Sequence, residues 1–324
     1  MNIKINVFKR WESVIFLLLI VEIFVFGFFN SSFLNIKNIM YSTTDFAHIS
    51  LVALPLTLVI ITGGIDISIA AIMGLTSIVI GSTWSLGVPM EAAVFLGLLS
   101  GIAAGAFNGL LVAYSDIQPL VITLGTMFLY SGIATGIAGS LGASGYNGIG
   151  DFPKGFLSLA YGDFGIIPLS MIYIILFALF LGFILHRHRL GRAIYLIGVN
   201  VDAALYNGIK VRKVIILSYT LTGLGSAIAG ILLTSYFTSA RSDLGSEALL
   251  PAITAVVLGG TNILGGSGTI VGTFIAAFFL GILKQGLMAV GVTNNVSQVV
   301  IGLVLIVAVA VKIFIEKSNK GSAK

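Results

Sequence analysis

The 324-residue chain contains no cysteine, which rules out a disulfide and a thiolate metal site. Histidine is nearly as scarce: His186 and His188 are neighbours in a basic segment and His48 lies far off, so the three do not make a ligand cluster. Charged residues are only 9% of the chain, against roughly 25% in an ordinary soluble domain. No Gly-Lys-Ser/Thr closes a glycine-rich loop, and the nearest candidate, Gly259–Thr269 (GGTNILGGSGT), has no lysine to reach a nucleotide's phosphates. Neither a Ser/His/Asp set nor a pair of catalytic carboxylates stands out. The chain therefore holds no engine and no catalytic constellation, and any uphill work must draw on a partner or on an ion gradient.

What the chain does have is apolar length. Hydrophobic residues make up 57%, too many to hide beneath a polar surface, so the solvent is a bilayer. A helix needs about 20 mostly apolar residues to cross roughly 30 Å of hydrocarbon, and lipid obliges its backbone to bond within the segment. Ten such spans are expected, with cores Ser13–Phe29, Ala47–Thr62, Asp66–Trp84, Glu91–Tyr114, Pro119–Ala138, Ile166–Leu185, Val214–Thr234, Ala248–Gly260, Thr269–Ala289 and Val296–Ile315. The fold class is an all-α polytopic bundle forming one membrane domain over residues 1–324, with tails at about 1–12 and 316–324. Lys4, Lys9 and Arg10 precede an apolar run, but the run holds Glu22 and lacks a small-residue cleavage pattern, so the first span is expected to be retained.

Basic residues set the orientation. With the N-terminus inside, the inner segments hold thirteen: Lys4, Lys9, Arg10, Arg187, Arg189, Arg192, Lys210, Arg212, Lys213, Lys312, Lys317, Lys320 and Lys324. The outer segments hold Lys37, Lys154 and Arg241. Both termini are thus expected in the cytoplasm. The net charge of +5 follows from this sorting and gives no argument for nucleic acid.

Three loops interrupt the rhythm. Asn30–Phe46 and the glycine-rich Gly139–Gly165 fall outside, the second of them expected to be irregular, while His186–Lys213 falls inside. Within the inner loop, VDAALY at Val201–Tyr206 predicts a short helix capped by Asn200 and stopped by Gly208. A weak repeat lays Leu54, Pro55, Gly63 and Gly64 over Leu250, Pro251, Gly259 and Gly260, with the same orientation in both copies; it is either accidental or a sign of a miscounted span.

Ionisable groups inside a membrane are costly and mark functional candidates. Glu22 is expected to face a neighbouring helix and a polar partner, and Lys284 to snorkel to the outer interface. Asp66, in Gly63–Ser68 (GGIDIS), sits where paired glycines let the helix unwind; it serves either as a cap with Ser68 or as a substrate contact. Gly97, Gly101, Gly105 and Gly109 recur every four residues and read as a packing stripe. Asn108 and Gln285 either line a pathway or bond between helices.

Four separated stretches, Gly63–Ser68 (GGIDIS), Pro119–Thr126 (PLVITLGT), Gly191–Ile209 (GRAIYLIGVNVDAALYNGI) and Ala255–Gly260 (AVVLGG) with Gly265–Gly266, resemble the membrane permeases of ribose-type sugar ABC importers. The resemblance runs in order over nearly the whole chain. Within that family, Gly145–Pro153 and Ser235–Pro251 look most like the D-type permeases of autoinducer-2 importers, and GSEALLPAI at Gly245–Ile253 departs from the ribose pattern. The resemblance implies an inner-membrane subunit that translocates autoinducer-2, with ribose or another pentose or hexose as the runner-up cargo. It implies a second permease chain of the C type, two ATPase subunits that use ATP and magnesium, and a periplasmic substrate-binding protein; this chain itself is expected to hold no cofactor. It also gives the inner loop, about residues 186–213, the task of docking in the ATPase through Gly191, Arg192, Gly198, Asn200, Asp202, Ala203, Ala204 and Gly208. Asp66, Ser68, Asn108, Thr123, Thr126 and Gln285 are the candidate pathway residues. An ion-coupled secondary transporter is the reading from another class; it would want more membrane carboxylates than Asp66 and Glu22.

Overall fold

The computed structural model describes residues 11–142 and 148–321. The inner-side Lys4, Lys9, Arg10 and Lys324, and Gly145–Asn147 of the outer motif, lie outside them. The chain is helical nearly throughout. The helices are α1 (Trp11–Phe29), α2 (Ile36–Ile61), α3 (Ile69–Ser85), α4 (Met90–Tyr114), α5 (Pro119–Ser140), α6 (Lys154–Tyr161), α7 (Leu169–His186), α8 (Arg189–Val199), α9 (Val201–Tyr206), α10 (Val211–Phe237), α11 (Leu249–Leu258), α12 (Ile270–Ala289) and α13 (Asn294–Gly321). A two-stranded antiparallel hairpin, β1 (Asp163–Phe164) with β2 (Ile167–Pro168), precedes α7.

Seven of these helices, α1, α2, α4, α5, α7, α10 and α12, are long and apolar enough to cross a membrane. The expectation of ten spans is met in full length only by these seven. The shorter apolar helices are α3, α11 and the Asn294–Val304 part of α13. Glycine accounts for two of the shortfalls: the chain unwinds after Ile61 and after Leu258, leaving α3 with 17 residues and α11 with 10. At 1.5 Å per residue, ten residues reach about 15 Å, half the hydrocarbon thickness.

Two outer segments differ from expectation. Helix α2 begins at Ile36, because the Asn35 side chain accepts a hydrogen bond from the Lys37 amide at 2.9 Å and starts the turn. The glycine-rich loop carries α6 and the hairpin, and Ile149 bridges to Ala240 in antiparallel fashion.

The second half of α2, from Ser50 to Ile61, is buried along every side and forms the axis of the core. Around it pack α10, α12, α7 and α11, while α4 crosses α10, and α5 covers α3. The α4 glycine stripe makes these approaches possible. A methyl added to Gly105 would lie 2.5 Å from the Tyr219 carbonyl oxygen and 2.8 Å from Gly223 Cα, and one on Gly109 would lie 2.7 Å from Ile216 Cα. Backbone thus meets backbone, as the four-residue spacing predicts.

Two ends of the bundle are distinguishable. Trp11 Nε1 donates to the Leu258 carbonyl at 2.6 Å, the Gly266 amide donates to the Ile61 carbonyl at 2.8 Å, and the Tyr195 hydroxyl donates to the Gly268 carbonyl at 2.7 Å. These bonds gather the start of α1, the ends of α2 and α11 and the helix α8 at one end. Lys37, Lys154 and Arg241, with α6 and the hairpin, lie at the other.

Glu22 departs from its expected surroundings. It is buried on α1, which packs along α12, yet neither carboxylate oxygen meets a hydrogen-bonding partner among the described residues. The polar partner expected for it is therefore not found among the described residues.

Candidate functional site

The site is built on the break between α2 and α3. Helix α2 stops at Ile61, Gly63 takes a positive φ of 84°, and the chain then runs extended to Ser68. The left-handed turn suits glycine because it lacks the Cβ that clashes there. Gly64 is needed for a different reason: a methyl on it would lie 2.6 Å from the Tyr219 hydroxyl. Between the two helices, Asp66 and Ser68 are fully buried.

A directed chain of hydrogen bonds converges on Asp66. The Tyr130 hydroxyl is 2.9 Å from Asn108 Oδ1, Asn108 Nδ2 donates to Ser68 Oγ at 2.7 Å, and the Ser68 hydroxyl donates to Asp66 Oδ1 at 2.7 Å. The Ser68 amide donates to the same carboxylate oxygen at 3.0 Å, so Asp66 caps the start of α3 while Ser68 makes no side-chain cap of its own. Of the two assignments open for Asp66, its Oδ1 fulfils the cap. Its Oδ2 is buried and meets no partner among the described residues. A carboxylate oxygen of this kind accepts hydrogen bonds from hydroxyl groups.

Thr123, on α5, accepts from the Ile67 amide at 3.3 Å and lies 3.2 Å from the Ile65 carbonyl, tying α5 to the extended segment. Thr126, one turn on, is buried with its hydroxyl bonded back to the Thr123 carbonyl at 3.3 Å. The structure therefore brings together Asp66, Ser68, Asn108, Thr123 and Thr126. It does not bring Gln285 there: that side chain donates to Asp45 Oδ2 at 2.7 Å at the far end of the bundle, where the Tyr236 hydroxyl donates to Asp45 Oδ1 at 2.7 Å. Tyr130 and Tyr219 are the residues that sequence reasoning missed. Tyr130 follows Thr123 and Thr126 at helical spacing on one face of α5, which was the available signal; nothing local marked Tyr219, whose hydroxyl reaches the Ile65 carbonyl at 3.5 Å.

The second copy of the sequence repeat meets the first. After α11, Gly260 adopts a φ of 93°, and the loop to α12 brings Gly265 and Gly266 against Ile61 and Gly63. The two copies are thus both helix-ending signals at the same end of the bundle, in the orientation expected. Their registers differ by one residue: the left-handed position falls on the first glycine of the pair at Gly63 and on the second at Gly260.

The inner loop folds as two helices. Helix α9 spans Val201–Tyr206 with Asn200 Oδ1 accepting from the Ala203 amide at 2.8 Å and Gly208 at a φ of 74°, as its caps predict. Helix α8 is an addition: His188 caps it, its Nδ1 accepting from the Leu190 amide at 3.2 Å. Arg192, Asn200, Asp202, Ala203 and Gly208 are exposed. Gly191, Gly198 and Ala204 turn inward instead. A methyl on Gly191 would overlap the Leu185 carbonyl, one on Gly198 would overlap the Ile61 carbonyl and the Gly266 amide, and Ala204 is 0% exposed. The small size of these three residues serves the chain's own packing; Gly191 and Ala204 are buried and Gly198 is half-buried.

Comparison with known proteins agrees with this architecture. The family model described as branched-chain amino acid transport system / permease component matches residues 38–309. Among curated proteins, the chain is 47% identical over 309 residues to the autoinducer 2 import system permease protein LsrD of Klebsiella pneumoniae subsp. pneumoniae, covering 95% of this chain and 92% of that one. The protein of the same name from Salmonella typhimurium is 47% identical over 299 residues, with 92% and 90% covered, and that from Yersinia enterocolitica 46% over 306 residues, with 94% and 92% covered. No solved structure gives a significant match. With most of its length matched and its polar residues gathered at a glycine break inside an apolar bundle, this chain belongs to the family of branched-chain amino acid transport system permease components.

Proposed function

We propose that this chain is the permease subunit through which autoinducer-2 crosses the bacterial inner membrane. The observation that carries the reading is the identity of 47% to LsrD proteins over 95% of the chain. The site chemistry supports it: a buried, hydroxyl-oriented network ends on a buried carboxylate oxygen that meets no partner among the described residues, suited to the hydroxyls of a small polyhydroxylated furanosyl cargo, and Asp66 and Glu22 are too few carboxylates for an ion-coupled mechanism. Asp66, Ser68, Asn108, Thr123 and Thr126 form the part of the pathway supplied by this chain.

The assembly pairs this chain with a second permease, a C-type paralogue, and with two ATPase subunits and a periplasmic substrate-binding protein. ATP and magnesium act on the ATPase; this chain holds neither. The chain forms a single membrane domain of ten crossings: the seven long helices, α3, α13, and α11 together with the segment 239–248 before it, whose Ser242 packs on Gly74 within α3. The end carrying α8 and α9 faces the cytoplasm, which sorts thirteen basic residues inside and three outside, and both termini lie there too.

The test is transport by the purified, reconstituted importer. Proteoliposomes holding all subunits should accumulate labelled autoinducer-2 only with binding protein outside and ATP inside, and excess ribose should not compete. Accumulation independent of ATP refutes the importer reading; full competition by ribose refutes the cargo.

A further inference from the structure

The loop joining α11 to α12 has a feature that the reading above leaves unused. Its tip presents two apolar side chains, Ile263 and Leu264, and Leu264 is 85% exposed. The tip is built rather than loose. Asn262 Oδ1 accepts from the Leu264 amide at 3.2 Å, the Gly265 amide donates to the Asn262 carbonyl at 2.9 Å, and the Asn262 amide donates to the Ser267 carbonyl at 2.9 Å. Positive φ values at Gly265 and Gly266 close the turn. An exposed leucine on a braced turn forgoes burial within the chain, which is worth roughly 1.5–3 kcal/mol for a fully buried side chain.

The position of the tip identifies what covers it. A methyl on Gly266 would lie 3.0 Å from Val199 Cγ2, so the loop abuts the end of α8 where the chain turns into α9. Val199 is itself 73% exposed, and Tyr206, at the end of α9, is 92% exposed. Ile263, Leu264, Val199, Val201, Leu205 and Tyr206 are thus exposed apolar residues at the same end of the bundle, and the turn abuts Val199 where α9, the helix that the resemblance gives to the ATPase, is about to begin.

We infer that the Asn262–Ser267 turn is a second docking element for the ATPase subunit, seated beside α9. The inference rests on the proposed role of α9, and it adds a shorter mechanical route to the site. Two residues beyond Leu264, the Gly266 amide bonds the Ile61 carbonyl, the last residue of α2 before the break that holds Asp66. A displacement of the turn by the ATPase reaches that break through one hydrogen bond, without passing through α8.

The absence of cysteine makes the test clean, since Leu264→Cys and Tyr206→Cys each introduce a unique thiol. Each variant, co-purified with its full set of partners whose own cysteines are replaced by serine, is modified with benzophenone maleimide and irradiated; Lys154→Cys on α6 serves as the control at the opposite end. Both thiols should cross-link to the ATPase at least tenfold above the control. Cross-linking from Tyr206→Cys alone, with Leu264→Cys giving no ATPase adduct or only lipid adducts, overturns the inference and leaves α9 as the docking helix. Cross-linking from Leu264→Cys alone supports the turn and removes α9. Cross-linking from neither overturns both readings. Should Leu264→Cys fail to assemble, Ile263→Cys carries the same comparison.

Discussion

Replacing Gly198 with alanine should uncouple the importer while leaving its ATPase attached. In α8 this glycine lies over the hydrogen bond from the Gly266 amide to the Ile61 carbonyl, and the added methyl would overlap both groups. Those neighbours are backbone and cannot swing aside, so α8 must withdraw or the bond must break. Overpacking costs about 1–3 kcal/mol and a lost hydrogen bond about 0.5–1.5, offset by about 0.5–1 gained from alanine's better helix propensity, leaving a net loss of roughly 0.5–4 kcal/mol. Since about 1.4 kcal/mol is a factor of ten in an equilibrium, the population with the two breaks correctly joined should fall about twofold to several hundredfold. Docking residues on α9 are untouched. In proteoliposomes, autoinducer-2 accumulated per ATP hydrolysed should drop accordingly, while ATPase co-purification stays normal. Gly182→Ala on α7 is the control, because a methyl there meets nothing within 4 Å. Wild-type transport per ATP by Gly198→Ala, with no loss of thermal stability, would refute the reasoning.

Three further outcomes are expected. Gly105→Leu should separate α4 from α10 and reduce the monodisperse protein recovered in detergent, whereas Gly125→Leu, where an added Cβ meets nothing within 4 Å, should be recovered normally; equal recovery of the two contradicts the packing assigned to the glycine stripe. Asn108→Leu removes both the donor to Ser68 and the acceptor for Tyr130, so uptake should fall at least tenfold at unchanged membrane level, while Tyr130→Phe should be milder because it leaves in place the Asn108 donor to Ser68 and with it the bonds that reach Asp66. Ala204→Trp should lower the amount of folded protein itself, since Ala204 is fully buried, whereas Tyr206→Asp should spare the protein and weaken ATPase co-purification; normal recovery of Ala204→Trp would show that the residue faces outward.

The parts of the molecule legible from sequence are those fixed by local chemistry. Asn200 and Gly208 frame α9 because a cap and a left-handed stop act on adjacent backbone groups. Gly63 and Gly64 announce a break for the same reason, and four glycines four residues apart specify a close helix crossing wherever that helix lies. Rotation of a helix about its axis is a different matter. In a span that is apolar all round, the buried face is chosen by neighbours distant in sequence, so Gln285 turns to Asp45 and away from Asp66, and Ala204 turns inward. The start of α2 was obscured because Lys37, Asn38, Ser42, Thr43, Thr44 and Asp45 read as a polar loop, although they form its first turns near the bundle's end. Helix α8 was hidden by its basic residues, which marked the segment as exposed without showing the apolar face that rests on the bundle.

The crossing of α4 and α10 carries a consequence for movement. At Gly105 and Gly223 the two main chains touch with no side chain between them, and at Gly101 the nearest α10 side-chain atom is the Ala227 methyl. Alternative packings of protein interiors arise when side chains change rotamer to fill a shifted interface, and a seam of bare backbone has none to change. The pair α4 and α10 should therefore travel as one rigid body, carrying Asn108 and Tyr219 together. Opening and closing should then be accommodated where the chain has torsional freedom, at Gly63 and Gly260, so that the segment bearing Asp66, proposed above as part of the pathway, would also serve as the hinge.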